Sequence, residues 1–203
     1  MTSDPSLYAP KIVSADVDKI NRKTWYRAVH RTFRQVPLDW KHTDSSCSRF
    51  GTGLGTYPVL YLAPSRLDAL LEVRQLIRVS KFLLPNPFLQ SGSYLVFPIR
   101  VELKRVMDFG NPSVRSDAST TVQELTGNWR QYGRKMARNS VSQVRYSGNI
   151  APTQHLGAVL ARYRSEFDGF LSPSAVYSAA LNLVLFPDVL NIDEHRLCIK
   201  SRI

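Results

Sequence analysis

The sequence predicts an α+β fold, and three observations support this prediction. Short apolar runs typical of buried strands occur along the chain, together with segments of helical periodicity. The two kinds of segment follow one another without the regular strand–helix alternation of a parallel α/β sheet. The 203 residues are 43% hydrophobic, which is enough to bury the core of a single domain without a disulfide or a metal ion.

Six segments have the composition or the alternation of β-strands. They are residues 24–30, 58–63, 94–109, 169–171, 181–186 and 196–201. The third alternates apolar and polar side chains over a length that fits either one strand or a bent pair of strands. Residues 33–54, which are dense in Asp, Ser, Thr, Gly and Pro, predict a long loop between the first two strands.

Three segments are predicted to be helical. The first covers residues 65–76, where Ser65 supplies an N-cap before periodic leucines. The second covers residues 117–138, with Ser119 or Thr120 as its cap. The third covers residues 152–164 and presents one apolar face, made of Leu156, Val159, Leu160 and Tyr163.

The chain is strongly basic, with 27 Lys and Arg against 16 Asp and Glu and a net charge of +11. Such a surface favours a polyanionic partner: nucleic acid, a phosphorylated small molecule, an acidic membrane or an acidic protein. Charge alone does not choose among them. Residues 1–20, which are polar and hold two prolines, predict an N-terminal extension to a domain that spans residues 21–203.

The N-terminus and the cysteines indicate a cytoplasmic protein. No basic segment followed by an apolar core opens the chain, and no apolar run approaches the roughly 20 residues that cross a bilayer. Cys47 and Cys198 are therefore expected as reduced thiols. Neither cysteine has a metal-binding spacing, nor do the four histidines, so no metal site is predicted.

Two segments carry residues that suit phosphate or nucleic acid. Gly51-Thr-Gly-Leu-Gly55 is rich in glycine but lacks the spacing of a dinucleotide-binding loop, so a turn is the favoured interpretation. Residues 23–34 interleave basic and aromatic side chains, which fits either a nucleic-acid face or an aromatic strand with a solvated basic end. On an alternating strand, Trp25 and Arg27 share one face.

Glu72 is the candidate carboxylate. It interrupts the apolar run of the first helix, four residues after Asp68 and therefore on the same face. Tyr61 ends the preceding strand, and Arg49 lies in the loop before that strand. Ser174 follows later in a Ser-Pro-Ser turn, and because no nucleophile-elbow motif surrounds it, a serine hydrolase is poorly supported.

Six stretches, taken in order, resemble the RES domain family, which is named for an arginine, a glutamate and a serine. They are Trp25-Tyr-Arg27, Ser48-Arg-Phe-Gly51 running through to Tyr61-Leu-Ala, Ala69-Leu-Leu-Glu72-Val, Ile99-Arg-Val-Glu-Leu with Val106-Met-Asp108-Phe, Thr153-Gln154-His-Leu-Gly157 with Phe167 to Ser174, and Asn182-Leu-Val-Leu-Phe-Pro187. The chain departs from the family pattern at Ala28, at Ser48, where glycine is common, and at Ala175.

The resemblance implies an ADP-ribosyltransferase-like fold with a mixed β core and flanking helices. It also implies a bacterial toxin that consumes NAD by hydrolysis or phosphorolysis, and an antitoxin of the helix-turn-helix Xre type as its partner. Nucleic acid would then be contacted only through the antitoxin, and no membrane is involved. Carried onto this sequence, the family's residues are Arg27, Arg49, Tyr61, Glu72 and Ser174.

These residue types suit the chemistry of NAD. The planar fork of arginine, at Arg27 and Arg49, makes bidentate contacts with a diphosphate. Cleavage of the ribose–nicotinamide bond develops positive charge on the ribose, which Glu72 can stabilise while it holds a ribose hydroxyl. Tyr61 is expected to stack on a ring or to position a ribose or a nucleophile. Ser174 is expected to hold the nicotinamide or the ribose.

The sequence leaves three points open. The acceptor, which is water, phosphate or a protein side chain, decides between NAD hydrolase, NAD phosphorylase and ADP-ribosyltransferase. A non-enzymatic nucleic-acid-binding module is the alternative class, and it predicts binding that weakens steeply with salt. The apolar residues 82–89 fit either an interface, with an antitoxin or with a second copy in a homodimer, or a loop folded on its own core.

Overall fold

The computed structural model describes residues 15–41, 43–76, 94–130, 132, 150–177, 179–190 and 197–200. These residues form an α+β domain with two β-sheets, which confirms the predicted fold class. The apolar residues 82–89 lie outside the described part of the chain, and so does most of the second half of the helix predicted at 117–138.

Seven strands make up the two sheets of the described chain. They are β1 (Trp25–His30), β2 (Leu60–Leu62), β3 (Tyr94–Val101), β4 (Val106–Asp108), β5 (Gly169–Pro173), β6 (Leu181–Leu185) and β7 (Leu197–Ile199). The first sheet is antiparallel, with the order β1-β3-β7. The second has the order β2-β6-β5-β4, in which only β4 and β5 run parallel. The segment at 94–109 is therefore the bent pair, and its two strands lie in different sheets.

The described residues also form five α-helices. They are α1 (Val17–Arg22), α2 (Arg66–Leu76), α3 (Pro112–Asp117), α4 (Val122–Thr126) and α5 (Pro152–Arg162). Both α2 and α5 lie where the sequence predicts helices, and Ser65 caps α2 by accepting a hydrogen bond from the Asp68 amide. No helix in this part of the chain is long and apolar enough to cross a membrane.

The predicted start of the helix at 117–138 is wrong. Two short helices occupy its described part and the residues before it, because three local features divide the chain. Asn111 caps α3, and Ser119 then takes a left-handed φ of +50°. Thr121 caps α4 in a capping box: its hydroxyl accepts from the Glu124 amide, and the Glu124 carboxylate accepts from the Thr121 amide.

Two apolar clusters fill the core, and β6 contributes to both. Leu183 and Leu185 belong to the first cluster, whereas Val184 and Phe186 belong to the second. This division follows from the pleat, which points successive side chains to opposite faces of a sheet. Asn182 has the parity of Val184 and therefore points to the same face of β6.

The residues just before the first strand pack on this core. Ile20 of α1 is buried in the first cluster, and the Ala15 amide donates to the carbonyl of Val106 in β4. The boundary predicted at residue 20, between an extension and the domain, stays a prediction.

Candidate active site

A cleft with a volume of about 420 Å³ is lined by strands of both sheets, by α2, by the loop before β2 and by residues 126–130. Its size falls in the usual range of small-molecule sites. Of the five residues predicted from the sequence, four line it: Arg27, Arg49, Tyr61 and Glu72. The structure thus brings together side chains that are up to 45 positions apart in sequence.

Glu72 projects into this cleft from the second turn of α2. Its Oε1 accepts hydrogen bonds from Ser174 Oγ at 2.7 Å and from Asn182 Nδ2 at 2.6 Å. Two donors on one oxygen fix the orientation of the carboxylate. Oε2 has no hydrogen-bond partner among the described residues, so it is the oxygen offered to a ligand.

Asp68, which shares a helix face with Glu72 by spacing, plays a different part. Its Oδ2 accepts a hydrogen bond from Ser65 Oγ at 2.6 Å, and it does not line the cleft. The cleft therefore contains one of the two carboxylates of α2.

Ser174 binds the Glu72 carboxylate from outside the cleft. It is 2% exposed and does not line the cleft. Its hydroxyl donates to Glu72 and accepts from the amides of Val176 and Tyr177, at 3.1 and 3.2 Å. One donor and two acceptor positions are all that a serine hydroxyl has. The protein occupies all three, so Ser174 orients Glu72 in this structure, and its predicted contact with nicotinamide or ribose stays a prediction.

Asn182 is a site residue to which sequence reasoning assigned no role. It lies in β6, pairs with Ser172 of β5 across the sheet, and lines the cleft beside Val184. It stands in the last stretch that resembles the RES family, and the signal that marks it is its polarity within the apolar run LNLVLF. A lone amide in a buried strand needs a partner, and here the partner is Glu72.

Arg49 is held at the cleft by the end of α4. Its Nη1 donates to the carbonyls of Leu125 and Gly127 at the C-terminal end of this helix, each at 2.9 Å. Burial lowers the pKa of its guanidinium, and the charge of Glu72 opposes that shift. The remaining guanidinium nitrogens are the part of Arg49 that can contact a bound anion.

Arg27 lies on the buried face of β1 with Trp25, as the strand alternation predicts, and it is 8% exposed. Its Nη1 and Nη2 donate to the carbonyls of Pro37 and Asp39, at 2.6 and 3.2 Å. Burial lowers the pKa of Arg27 to about 10, against the opposing charge of Asp39. It therefore keeps its positive charge at neutral pH and brings that charge to the floor of the cleft.

Tyr61 presents its ring to the cleft, while its hydroxyl is bound by the protein. The hydroxyl accepts from the Phe50 amide at 2.9 Å and shares a hydrogen bond of 2.9 Å with Ser48 Oγ. Ser48 Oγ in turn accepts from the Gly51 amide. The serine that stands where the family pattern commonly has glycine thus fixes the phenol and the loop that carries Arg49.

The phenol of Tyr61 is expected to ionise near pH 12. Burial raises its pKa to about 12 from an ordinary 10.0, against the opposing hydrogen bonds from Ser48 and Phe50. Because the raised pKa favours the neutral phenol in the folded state, its stabilising contribution is complete below pH 10 and is lost as the pH rises through 12. The pKa of Tyr61 is measured from the phenolate absorbance of the wild type, after that of Tyr61→Phe has been subtracted at each pH. A difference in phenolate absorbance with its midpoint near pH 10 would contradict the raised pKa.

The loop before β2 is held from the other side by α5. Gln154 Nε2 donates to the carbonyls of Ser48 and Gly51, at 2.9 and 3.3 Å. Gly157 packs against the Phe50 backbone so closely that a Cβ would overlap the carbonyl oxygen. The buried residues of α5 are Thr153, Gln154, Gly157, Leu160 and Ala161, and only Leu160 among them belongs to the apolar face predicted from the sequence.

The glycine-rich segment forms a turn, as its sequence indicates. Gly53 and Gly55 have φ angles of +72° and +70°, which favour glycine. The Gly55 amide donates to the backbone carbonyl of Asp44 within the same loop, and residues 52–55 do not line the cleft.

An aromatic residue that the sequence did not single out completes the cleft. Trp129 lines it after α4, and the Arg130 guanidinium lies 5.2 Å from its ring centroid. Tyr26 supplies a second aromatic surface from β1. Among the residues that the structure describes, no group of three or more His, Cys, Asp or Glu side chains is placed to hold a metal ion.

The fold and the cleft define an α+β domain in which one carboxylate, Glu72, and three arginines, Arg27, Arg49 and Arg130, line a single site. The chain belongs to the RES domain family, whose model matches residues 24–197. A chain in the crystal structure of the M. tuberculosis MbcT–MbcA toxin–antitoxin complex has a similar fold. The TM-score is 0.53 and the identity 16%, over 91% of this chain and 88% of that one. A search of curated proteins gives no match.

Proposed function

We propose that this protein is a bacterial toxin that consumes NAD by cleaving the bond between ribose and nicotinamide. The observation that carries the proposal is the carboxylate of Glu72, fixed by Ser174 and Asn182, with one oxygen free toward a cleft that also holds Arg27 and Arg49. Membership of the RES family, and a fold like that of a chain from a toxin–antitoxin complex, support the toxin role.

In the proposed reaction, three charged groups of the cleft, Arg27, Arg49 and Glu72, have counterparts on NAD. Arg27 and Arg49 attract the diphosphate, while the rings of Tyr26, Tyr61 and Trp129 offer surfaces for the two bases. The bond between the ribose C1′ and the nicotinamide nitrogen breaks, and its electron pair stays with the nitrogen, so nicotinamide leaves as a neutral molecule. The positive charge that develops on the ribose is stabilised by Glu72.

The acceptor then adds to C1′ and decides the product. Water gives ADP-ribose, inorganic phosphate gives the phosphorylated ADP-ribose, and a protein side chain gives a modified protein. Incubation of the purified protein with NAD, with and without phosphate, tests the proposal through the release of nicotinamide. Release is expected in at least one condition, and a protein that leaves NAD intact in both would contradict the proposal.

Two of the residues considered for a nucleic-acid face at 23–34 are buried. Trp25 is 2% exposed and its indole nitrogen donates to the carbonyl of Ile20, so its ring belongs to the core. Arg27 is also buried, with two nitrogens on backbone carbonyls. Neither side chain is available to stack on a base.

An antitoxin of the Xre type is the proposed protein partner. The described surface carries a second concavity in which four cations outnumber one carboxylate, Asp18, and this excess of positive charge fits an acidic partner. The cations are Arg22, Lys23, Arg100 and Lys200. Co-expression with such an antitoxin is expected to restore growth and cellular NAD in bacteria that produce the toxin. Growth arrest that the antitoxin leaves unchanged would contradict the pairing.

Replacing Arg49 by lysine is expected to raise KM for NAD roughly tenfold, with a smaller effect on kcat, since a lysine cannot both hold two carbonyls and reach a phosphate. Arg115→Lys is the matched control. Arg115 Nη1 also donates to two carbonyls, those of Phe109 and Gly110, but the residue does not line the cleft. Equal KM values in the two variants would contradict a diphosphate contact by Arg49.

A further inference from the structure

We infer that Asn182 contacts the substrate directly: its side-chain oxygen accepts a hydrogen bond from the ribose diol beside the bond that is cleaved. This inference rests on the proposed function. It goes further by assigning a part of the dinucleotide to the end of the cleft where Glu72 and Asn182 meet.

The orientation of the Asn182 amide follows from its neighbour. A carboxylate oxygen only accepts hydrogen bonds, so the amide group that faces Glu72 Oε1 at 2.6 Å must be the NH₂ group. Ser174 Oγ is the second donor on the same carboxylate oxygen. The Asn182 Oδ1 is therefore the atom that points away from Glu72.

This oxygen is buried and has no hydrogen-bond partner in the described part of the chain. Asn182 is 9% exposed, and it lines the cleft. A buried acceptor without a donor is costly, and proteins nearly always pair such atoms. The other buried side-chain atom without a partner in the described residues is Thr153 Oγ1 in α5, which does not line the cleft. Of these two atoms, the Asn182 oxygen is the one whose residue lines the cleft, so it is the one that a donor on a ligand would pair.

Glu72 Oε2 is a second acceptor close to the first. The two free oxygens belong to groups that are joined by one hydrogen bond, and both residues line the cleft. A ribose cis-diol offers two donors on adjacent carbons and matches such a pair, whereas a diphosphate offers acceptors. Because Glu72 is proposed to act at the ribose that carries nicotinamide, the diol of that ribose is the match.

The test compares kcat/KM for nicotinamide release from NAD and from two analogues that lack the 2′- or the 3′-hydroxyl of the nicotinamide ribose. The proteins are the wild type, Asn182→Leu and Ser174→Ala. Leucine keeps a similar volume in the buried strand and removes the acceptor. Ser174→Ala is the control, because it removes a donor to Glu72 and leaves the Asn182 oxygen in place.

The wild type is expected to discriminate against both analogues by about tenfold or more, as sites built on hydrogen bonds do. Asn182→Leu is expected to lose the discrimination against one analogue and to keep it against the other, which Glu72 still holds. Ser174→Ala is expected to be slower on all three substrates with both selectivities retained. Unchanged selectivities in Asn182→Leu would overturn the inference and leave the proposed function standing, since NAD is still cleaved.

Thermal unfolding shows whether Asn182→Leu is folded. If it is not folded, Asn182→Asp replaces it in the comparison. Aspartate keeps an acceptor oxygen that faces the cleft, but it places a second carboxylate beside that of Glu72. The two carboxylates can stay hydrogen-bonded only while they share one proton, so the variant is active only in that state. Its activity is expected to fall with rising pH where that of the wild type does not, with both selectivities retained. Loss of either selectivity would overturn the inference. A wild type that releases no nicotinamide from NAD would overturn the inference and the proposed function together.

Discussion

Replacing Glu72 by glutamine is expected to lower the rate of nicotinamide release by about 10²–10³-fold, the usual effect of removing a preorganised electrostatic group. Glutamine keeps an oxygen that can accept from Ser174 and Asn182, so the local fold is preserved. What is lost is the negative charge beside the ribose and an acceptor at the position of Oε2. The initial rate with saturating NAD measures the effect on kcat.

Asp68→Asn is the matched control for this variant. Asp68 lies one turn earlier on α2, is bound to Ser65 and does not line the cleft. The same change from carboxylate to amide on the same helix is therefore expected to leave kcat almost unchanged. Full activity in Glu72→Gln would remove Glu72 from the reaction.

Replacing Gly157 by alanine is expected to destabilise the protein by about 1–3 kcal/mol, the usual cost of inserting a methyl group where there is no space. The new Cβ would overlap the Phe50 carbonyl oxygen, and backbone cannot yield as a flexible side chain can. The displaced loop carries Arg49, so activity is expected to fall as well, by roughly 10²-fold for a shift near 1 Å. Urea unfolding and the rate of nicotinamide release measure the two effects.

His155→Ala on the same helix provides the comparison. His155 is exposed, two residues before Gly157, and its replacement is expected to leave both stability and activity close to those of the wild type. If Gly157→Ala behaved like His155→Ala, the close packing of α5 on the loop would not be needed to hold the site.

Local patterns in the sequence were enough to predict most elements of the fold. The apolar runs at β2 and β6 and the capped, leucine-rich α2 agree with the structure, because each depends on neighbours within a few residues. The stretch after residue 111 was harder to predict. The sequence predicts one helix at 117–138, capped by Ser119 or Thr120, whereas caps at Asn111 and Thr121 begin two short helices.

Four of the residues that line the cleft were named from the family resemblance, whereas the arrangement of the side chains was not predicted. Ser174 and Asn182 meet Glu72 across 102 and 110 positions of sequence, and no spacing rule connects residues so far apart. Gln154 is tied to Ser48 across 106 positions for the same reason. Sequence reasoning therefore named Ser174, but it did not show that the hydroxyl donates to Glu72 and accepts from the amides of Val176 and Tyr177.

The chemical identity of the products tests the central claim most directly. The wild type is incubated with NAD, and the products are identified by their masses. Cleavage at the ribose–nicotinamide bond predicts free nicotinamide together with ADP-ribose, its phosphorylated form when phosphate is the acceptor, or ADP-ribose attached to a protein. AMP together with nicotinamide mononucleotide would place the cleavage at the diphosphate and contradict the role of Glu72, and intact NAD would contradict the proposed reaction altogether.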